Sequence, residues 1–274
     1  MINAAIMGIG GRMGSKIFAL AHGDDDIKVV GATEVSGSSL LGQDAGTVSA
    51  VGGIGVEITD DLGEACAGPS GITGGIADGI IDFTVPVATL THARYAAEHN
   101  VAMVIGTTGF SPEQRKQLEK LADGFPCVLA PNMSIGVNVM FNAAKKLAQS
   151  LGDDYDVEIV EAHHRNKVDA PSGTALKLAE VVANALGRDI EEVGTFSRHG
   201  AIGPRGDKEI GIQTIRGGDI VGEHTVMFIG TGERIELTHR AASRDNFASG
   251  AIRALKWVVG RPPGLYSMDD VLGL

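Results

Sequence analysis

The stretch Ala4–Ala21, AAIMGIGGRMGSKIFALA, decides the fold. An apolar strand, Ala4–Ile9, runs without a break into Gly8-Ile9-Gly10-Gly11-Arg12-Met13-Gly14, and a helical pattern over Met13–Ala21 follows. Glycines at a strand-to-helix junction let the backbone turn tightly and approach a diphosphate. The helix start then offers oriented N–H groups to the negative charge. The spacing is not a strict G-x-G-x-x-G, because Met13 holds the third position. Taken as Gly8, Gly11 and Gly14 it becomes G-x-x-G-x-x-G. Gly8, Ile9, Gly10, Gly11, Arg12 and Met13 are therefore the expected dinucleotide contacts, set against the plainer reading of a ligand-free glycine turn.

Working outward, Lys28–Thr33, Ile80–Phe83, Val101–Gly106 and Cys127–Ala130 repeat the apolar, non-alternating pattern of strands buried on both faces. Helical patterns over Val87–His99 and Pro112–Ala122 lie between them. The second of these has Ser111 to cap it, Pro112 in its first turn and Gln114 placed for a capping box. Alternating strands and helices imply a doubly wound parallel α/β sheet. Ser36–Gly55, rich in Gly and Ser, reads as a long surface excursion. After Asn132 the pattern changes. A helix is expected over Ile135–Leu151, a strand over Asp156–Ala162 and a helix over Thr174–Leu186. Three partly alternating runs follow, Glu209–Arg216, Glu223–Ile229 and Glu233–His239, and predict an antiparallel sheet with one covered face. Helix Phe247–Val259 could return to the first domain. The expected organisation is a nucleotide domain over residues 1–132, rejoined by 242–274, and a second α+β domain over 133–241 with a mixed, largely antiparallel sheet.

The 274 residues carry a net charge of −11. That argues against a polyanion partner, since a phosphate backbone needs a basic field. Hydrophobic residues make up 43% of the chain and Gly contributes 39 positions, which supports a folded core with many turns. Cys66 and Cys127 have no metal-ligand spacing and read as buried thiols in a reducing compartment. Neither a basic leader nor a membrane-length apolar run is evident, so the expected location is the cytoplasm, away from membranes.

Strand ends carry the remaining cofactor candidates, because ligands of doubly wound sheets bind outside the carboxyl ends of strands. Glu34 ends the second strand, where a carboxylate can accept hydrogen bonds from a ribose diol and repel a 2′-phosphate. Val35 beside it supplies no compensating charge. That favours NADH over NADPH, although Arg12 could face a 2′-phosphate and Glu34 could equally be a solvated acid. Phe83 and Thr84, then Gly106, Thr107 and Thr108, could meet a nicotinamide or its ribose. Ala130, Pro131, Asn132 and Met133 read as both a hinge and a cofactor contact.

The segment EAHHRNKVDAPSGT, Glu161–Thr174, concentrates His163, His164, Arg165 and Lys167 in an acidic protein. Alternation sends the two histidines to opposite sides, and histidine suits proton transfer near neutrality. Pro171, Ser172, Gly173 and Thr174 open a helix whose N–H groups could receive a carboxylate. The set describes a pocket for a small carboxylate that accepts hydride and then a proton. Adjacent histidines rarely share one ion and no ligand partners stand at metal spacing, so no metal is expected. His199, His224 and His239 read as structural or surface residues.

Taken together, GIGGRMG, GSSLLGQDAG, IDFT, VIGTTGF, EAHHRNKVDAPSGTA and GDIVGEHTVMF make the chain resemble, nearly end to end, the 4-hydroxy-tetrahydrodipicolinate reductase (dihydrodipicolinate reductase) family of the diaminopimelate–lysine pathway. The resemblance implies a Rossmann-like domain, a substrate domain and a homotetramer. It implies His163 as proton donor or acceptor and Lys167 as proton donor. His164 and Ser172 would meet a small cyclic dicarboxylate, with the Gly173 and Thr174 backbone on a carboxylate. NADH and/or NADPH would be the cofactor. Val35 departs from those family members that carry an arginine there, which leaves NADH or dual use. Two other readings remain open at this point: a different NAD(P)-dependent reductase of a small oxo- or imino-acid, and a catalytically silent nucleotide sensor.

Overall fold

The computed structural model describes residues 1–68 and 77–274. In chain order, the first part holds β1 (Ile2–Met7), α1 (Arg12–His22), β2 (Ile27–Thr33), α2 (Ala45–Val48), β3 (Ile58–Thr59) and α3 (Leu62–Ala67). β4 (Gly79–Asp82), α4 (Pro86–His99), β5 (Ala102–Ile105), α5 (Pro112–Leu121) and β6 (Pro126–Leu129) follow. Next come α6 (Ile135–Leu151), β7 (Asp156–His163), α7 (Gly173–Ala185), α8 (Ile190–Val193), β8 (Gly194–Thr195), β9 (Ile210–Arg216), β10 (Gly222–Gly230) and β11 (Glu233–Ala241). The chain closes with α9 (Asp245–Val258), β12 (Gly264–Tyr266) and α10 (Met268–Leu272). It divides into two compact units, Met1–Ser134 with Asp245–Gly273, and Ile135–Arg244.

The first unit is built on a parallel sheet of order β12-β6-β5-β4-β1-β2-β3. The strand order reverses between β1 and β4. That switch point opens a crevice at the strands' carboxyl ends, bounded by the glycine loop after β1 and by Phe83-Thr84 after β4. One face of the sheet packs Met7, Ile80, Met103 and Cys127 against Leu90, Ala93 and Ala96 of α4 and Leu118 of α5. The other face carries α1 and α9, whose buried residues include Phe18, Ala251 and Leu255. The Ser111 capping box starts α5 as the sequence reading expects.

Two features differ from that reading. β3 beside β2 and β12 beside β6 bring the five expected strands to seven; at two and three residues they are too short to show a period. The excursion Ser36–Gly55 is organised around Asp44. That carboxylate accepts from the backbone N–H of Thr47, Ile54 and Gly55 at 2.8, 3.1 and 2.7 Å, and α2 buries Ala45.

The second unit has a mixed sheet of order β11-β10-β7-β9-β8. β10 is antiparallel to β11 and β7, while β9 is parallel to β7 and β8. The expected succession of three antiparallel neighbours is corrected here: β9 pairs with β7, and β10 lies on β7's far side. The reason is the connection. The chain between β7 and β9 carries α7, and a helix-bearing crossover returns a strand in parallel. Val157, Ile159, Ile212, Val226 and Phe228 of the covered face pack on α6 and α7 through Ala144, Leu178, Ala179 and Val182. Among the described residues no helix is long and apolar enough to cross a membrane.

Gly250 of α9 meets the backbone after β6 so closely that a Cβ there would stand 1.7 Å from the carbonyl oxygen of Met133. Backbone cannot yield as a flexible side chain can. Gly250→Ala is therefore expected to destabilise the protein by about 2 kcal/mol or more in denaturant unfolding. Gly53→Ala, where a Cβ finds only ordinary contact at 3.9 Å, should stay within about 0.5 kcal/mol.

Candidate active site

At the carboxyl edge of the first unit's sheet, the glycine loop takes the shape its spacing requires. Gly8 has φ +70°, in the left-handed region. A Cβ on Gly14 would lie 2.1 Å from the Gly8 carbonyl oxygen, and Gly11 N–H donates to that oxygen at 3.0 Å. The triplet Gly8, Gly11 and Gly14 thus lets α1 start directly against the end of β1. Ile9 is buried, and Gly10, Gly11 and Arg12 are exposed at the helix start, with Met13 half-buried. Such a cradle accepts a diphosphate without displacing a side chain.

Glu34 folds onto this loop. Its Oε1 accepts from Gly10 N–H at 2.8 Å and its Oε2 from Val35 N–H at 2.9 Å. Both oxygens keep lone pairs for further donors, such as a ribose diol. Val35 is 73% exposed and carries no charge to offset Glu34. Next along the edge, a Cβ on Gly106 would strike the Phe83 ring at 2.2 Å and one on Gly8 the Thr84 methyl at 2.8 Å. The ends of β1, β4 and β5 are therefore in mutual contact. Thr107 is buried, while Thr108 and Pro131 are exposed. Ala130 N–H donates to Ile105 O at 3.1 Å. Asn132 Oδ1 accepts from Ser134 N–H at 2.9 Å, and Met133 is buried.

The second unit brings together a group that the sequence reading saw only in part. β7 places Val157, Ile159, Glu161 and His163 on one face, so a carboxylate and an imidazole end an otherwise apolar row. Glu161 has no solvent exposure. Its carboxylate accepts from both Nη atoms of Arg216 at 2.8 Å, from Ser172 N–H at 3.0 Å and from Thr214 Oγ1 at 3.3 Å. His163 Nδ1 lies 2.6 Å from its Oε2. Burial works against the charged carboxylate, but Arg216, His163 and the Ser172 N–H outweigh it and hold its pKa down to about 2.

An ionised Glu161 can only accept, so His163 donates Nδ1–H to it. Burial pushes the His163 imidazole below its ordinary value, against the pull of Glu161. The ring is neutral at neutral pH, with Nε2 carrying the lone pair above Gly222, where a Cβ would stand 3.0 Å away. His224 meets this ring edge-on at 5.2 Å and shares a 3.1 Å hydrogen bond between its Nε2 and Ser172 Oγ. Burial holds His224 down to about 4.

Ser172 caps α7 by accepting from Ala175 N–H, and Gly173, next in line, is exposed with open space at its Cα. His164 follows the last residue of β7, half-buried. Lys167 Nζ reaches both carboxylate oxygens of Asp169 at 2.8 and 2.9 Å, and Arg216 also donates to the Asp169 carbonyl at 2.7 Å. The arrangement offers a neutral imidazole at the end of β7, and an ammonium and a helix start in the loop that follows. Glu161, Arg216 and Asp169 were missed from sequence. The signal for Glu161 was its place two residues before His163 in an apolar alternation. Arg216 becomes visible only once β9 is registered against β7, opposite His163.

Residues 2–133 match the family model "Dihydrodipicolinate reductase, N-terminus" and residues 136–272 match "Dihydrodipicolinate reductase, C-terminus". A 4-hydroxy-tetrahydrodipicolinate reductase from Syntrophobacter fumaroxidans is 54% identical over 274 residues, spanning all of both chains. One from Myxococcus xanthus is 53% identical over 273 residues, covering 100% of this chain and 98% of that protein. Among solved structures, dipicolinate-bound dihydrodipicolinate reductase from Paenisporosarcina sp. TG-14 is similar, with TM-score 0.75, 29% identity and 97% of each chain covered. An amine dehydrogenase from Mycobacterium smegmatis shares the fold at TM-score 0.59 and 18% identity, over 98% of this chain and 95% of that one.

A histidine kept neutral by burial contributes stability that is complete above its unfolded pKa, near 6.5, and is lost as the pH falls toward its folded value. For His224 that window runs from about 6.5 down to about 4. Between pH 7 and 4, the unfolding free energy of the wild-type protein should fall by about 3 kcal/mol more than that of His224→Gln. Parallel pH curves for the two proteins would contradict the assignment.

Proposed function

We propose, because this chain belongs to the dihydrodipicolinate reductase family, that it is an NAD(P)H-dependent 4-hydroxy-tetrahydrodipicolinate reductase acting in diaminopimelate and lysine biosynthesis. The observation that carries this reading is the second unit's Glu161–His163 pair beside Lys167 and the Ser172-capped helix. It supplies positive charge and exchangeable protons for a small cyclic dicarboxylate.

The nicotinamide cofactor, when bound, supplies the hydride that adds to an unsaturated ring carbon. Gly8 through Met13 hold the diphosphate and Glu34 takes the adenosine ribose. Phe83, Thr84, Gly106 to Thr108 and Ala130 to Met133 line the nicotinamide side. In the second unit, the Gly173 and Thr174 amides receive one substrate carboxylate, with Ser172 and His164 beside it. Lys167 delivers the proton that completes reduction. His163, held as the Nδ1–H tautomer by Glu161, exchanges protons through Nε2. Arg216 does not touch substrate in this scheme; it keeps Glu161 ionised.

NADH is the better cofactor in this reading. A 2′-phosphate would meet the Glu34 carboxylate, itself fixed by two backbone donors, and Val35 cannot neutralise it. The chain also assembles as a homotetramer in this reading. The uncovered face of the second unit's sheet presents Val160, Ile215 and Met227 beside Thr225, Glu158 and Glu223, a mixed surface open to a second copy.

Oxidation of NADH at 340 nm that depends on the product of aspartate semialdehyde and pyruvate condensation is the expected result. No oxidation by folded protein, with either cofactor, would remove the reading in favour of a reductase of another imino- or oxo-acid. His163→Ala and Lys167→Ala should each lower kcat by about 10²-fold or more, with the unfolding midpoint of Lys167→Ala unchanged. Val35→Arg should raise kcat/KM for NADPH relative to NADH by about tenfold, close to 1.4 kcal/mol. An unchanged ratio would show that position 35 does not read the 2′-phosphate.

A further inference from the structure

The carboxyl edge of the first unit's sheet holds a buried carboxylate that the scheme above leaves unused. Asp82 ends β4 with no solvent exposure. Its Oδ1 accepts from Thr84 N–H at 2.8 Å, from Thr84 Oγ1 at 2.6 Å and from Thr107 Oγ1 at 3.3 Å. Its Oδ2 lies 2.7 Å from Nδ1 of His92 on α4. Thr89, also on α4, closes the ring: its hydroxyl donates to Thr107 Oγ1 at 2.9 Å and stands 3.4 Å from Thr84 Oγ1. One carboxylate therefore ties the segment after β4, the segment after β5 and the start of α4 to a single point.

Burial opposes the charge on Asp82, yet the His92 and Thr84 hydrogen bonds keep it below the usual carboxylate range. An ionised Asp82 can only accept, so His92 donates Nδ1–H. A buried charge is an unfavourable way to fill space at the end of a parallel strand, where an apolar side chain would pack as well. What the charge adds is direction, because its lone pairs fix two hydroxyls and one backbone N–H together. Those groups belong to Thr84 and Thr107, and Thr84 in turn packs its methyl on Gly8 of the glycine loop.

We propose that Asp82, backed by His92, is the positioning residue for the nicotinamide end of the dinucleotide site. It acts through Thr84 and Thr107, holding the ends of β4 and β5 in the one arrangement that the cofactor meets. It does not itself touch the cofactor. The inference rests on the reductase reading and sharpens the cofactor half of it.

The test uses the full chain and NADH itself as probe, with binding followed by NADH fluorescence. Asp82→Asn keeps the shape and removes the charge and one acceptor. Its Kd for NADH should rise tenfold or more, with a matching loss in kcat/KM for NADH. At saturating NADH the KM for the dicarboxylate should change less than twofold, a split that a merely weakened fold would not produce. His92→Ala should weaken NADH binding in the same sense. His92→Asn, which restores a donor near the Nδ1 position, should recover most of the loss. Wild-type NADH affinity in folded Asp82→Asn would overturn the proposal. Should Asp82→Asn not fold, the histidine pair decides: wild-type affinity in His92→Ala overturns it, and loss with recovery in His92→Asn supports it. A wild-type protein that binds neither NADH nor NADPH would instead remove the reductase reading on which the proposal stands.

Discussion

The second unit's chemistry depends on one buried carboxylate. Glu161 lies in a place without solvent, where an unpaired charge is strongly unfavourable. It is tolerated because three elements of the site, β7, β9 and the start of α7, direct donors at it. The Arg216 fork comes from β9, the Ser172 N–H from the start of α7, the Thr214 hydroxyl from β9 and the His163 Nδ1–H from β7 itself. The same bonds have a second consequence. They fix where α7 begins, which face of β9 turns inward and which nitrogen of His163 keeps its lone pair. A single electrostatic requirement thus couples the local fold to the protonation state that the proposed proton transfer needs.

The first unit solves a parallel problem with different materials. There the constraint is close approach. Glycines at 8, 14 and 106 let a loop, a helix start and an aromatic ring occupy space that a side chain would otherwise fill. Asp82 then locks the same edge with hydroxyls, much as Glu161 locks the other unit with an arginine and a histidine. In both, a carboxylate with no exposure sits at the end of a strand and orders the residues around it. Glu34 differs, since its carboxylate stays partly exposed and is aimed by the loop's own N–H groups. In the proposed scheme that leaves it to meet the cofactor's ribose rather than to act as a brace.

Much of this was legible in the residues. Strands such as Val101–Gly106 announce themselves by unbroken apolar runs, and α5 by its Ser111 capping box. The glycine loop and the His163–Lys167 segment carry their chemistry locally, within a few positions. What escaped reading depends on pairing across distance. The parallel partnership of β7 and β9 joins residues some fifty positions apart, so Arg216 looks like an ordinary strand-end cation until its register places it on Glu161. β12 is too short to show a period, and it exists because β6 offers an open edge. Asp82 reads as one more polar residue at a strand end. Only the packed structure reveals that its partners, Thr84, His92 and Thr107, come from three places, after β4, on α4 and after β5.

The tautomer of His163 tests the account at its centre. Nitrogen chemical shifts of ¹⁵N-histidine-labelled protein, with His163 identified by the signal lost in His163→Gln, report each ring nitrogen directly. His163 is expected to be a neutral ring at pH 7, protonated at Nδ1 and bare at Nε2, with a titration midpoint below the ordinary 6.5. A proton on Nε2 in the neutral ring, or an imidazolium persisting above pH 7, would contradict it.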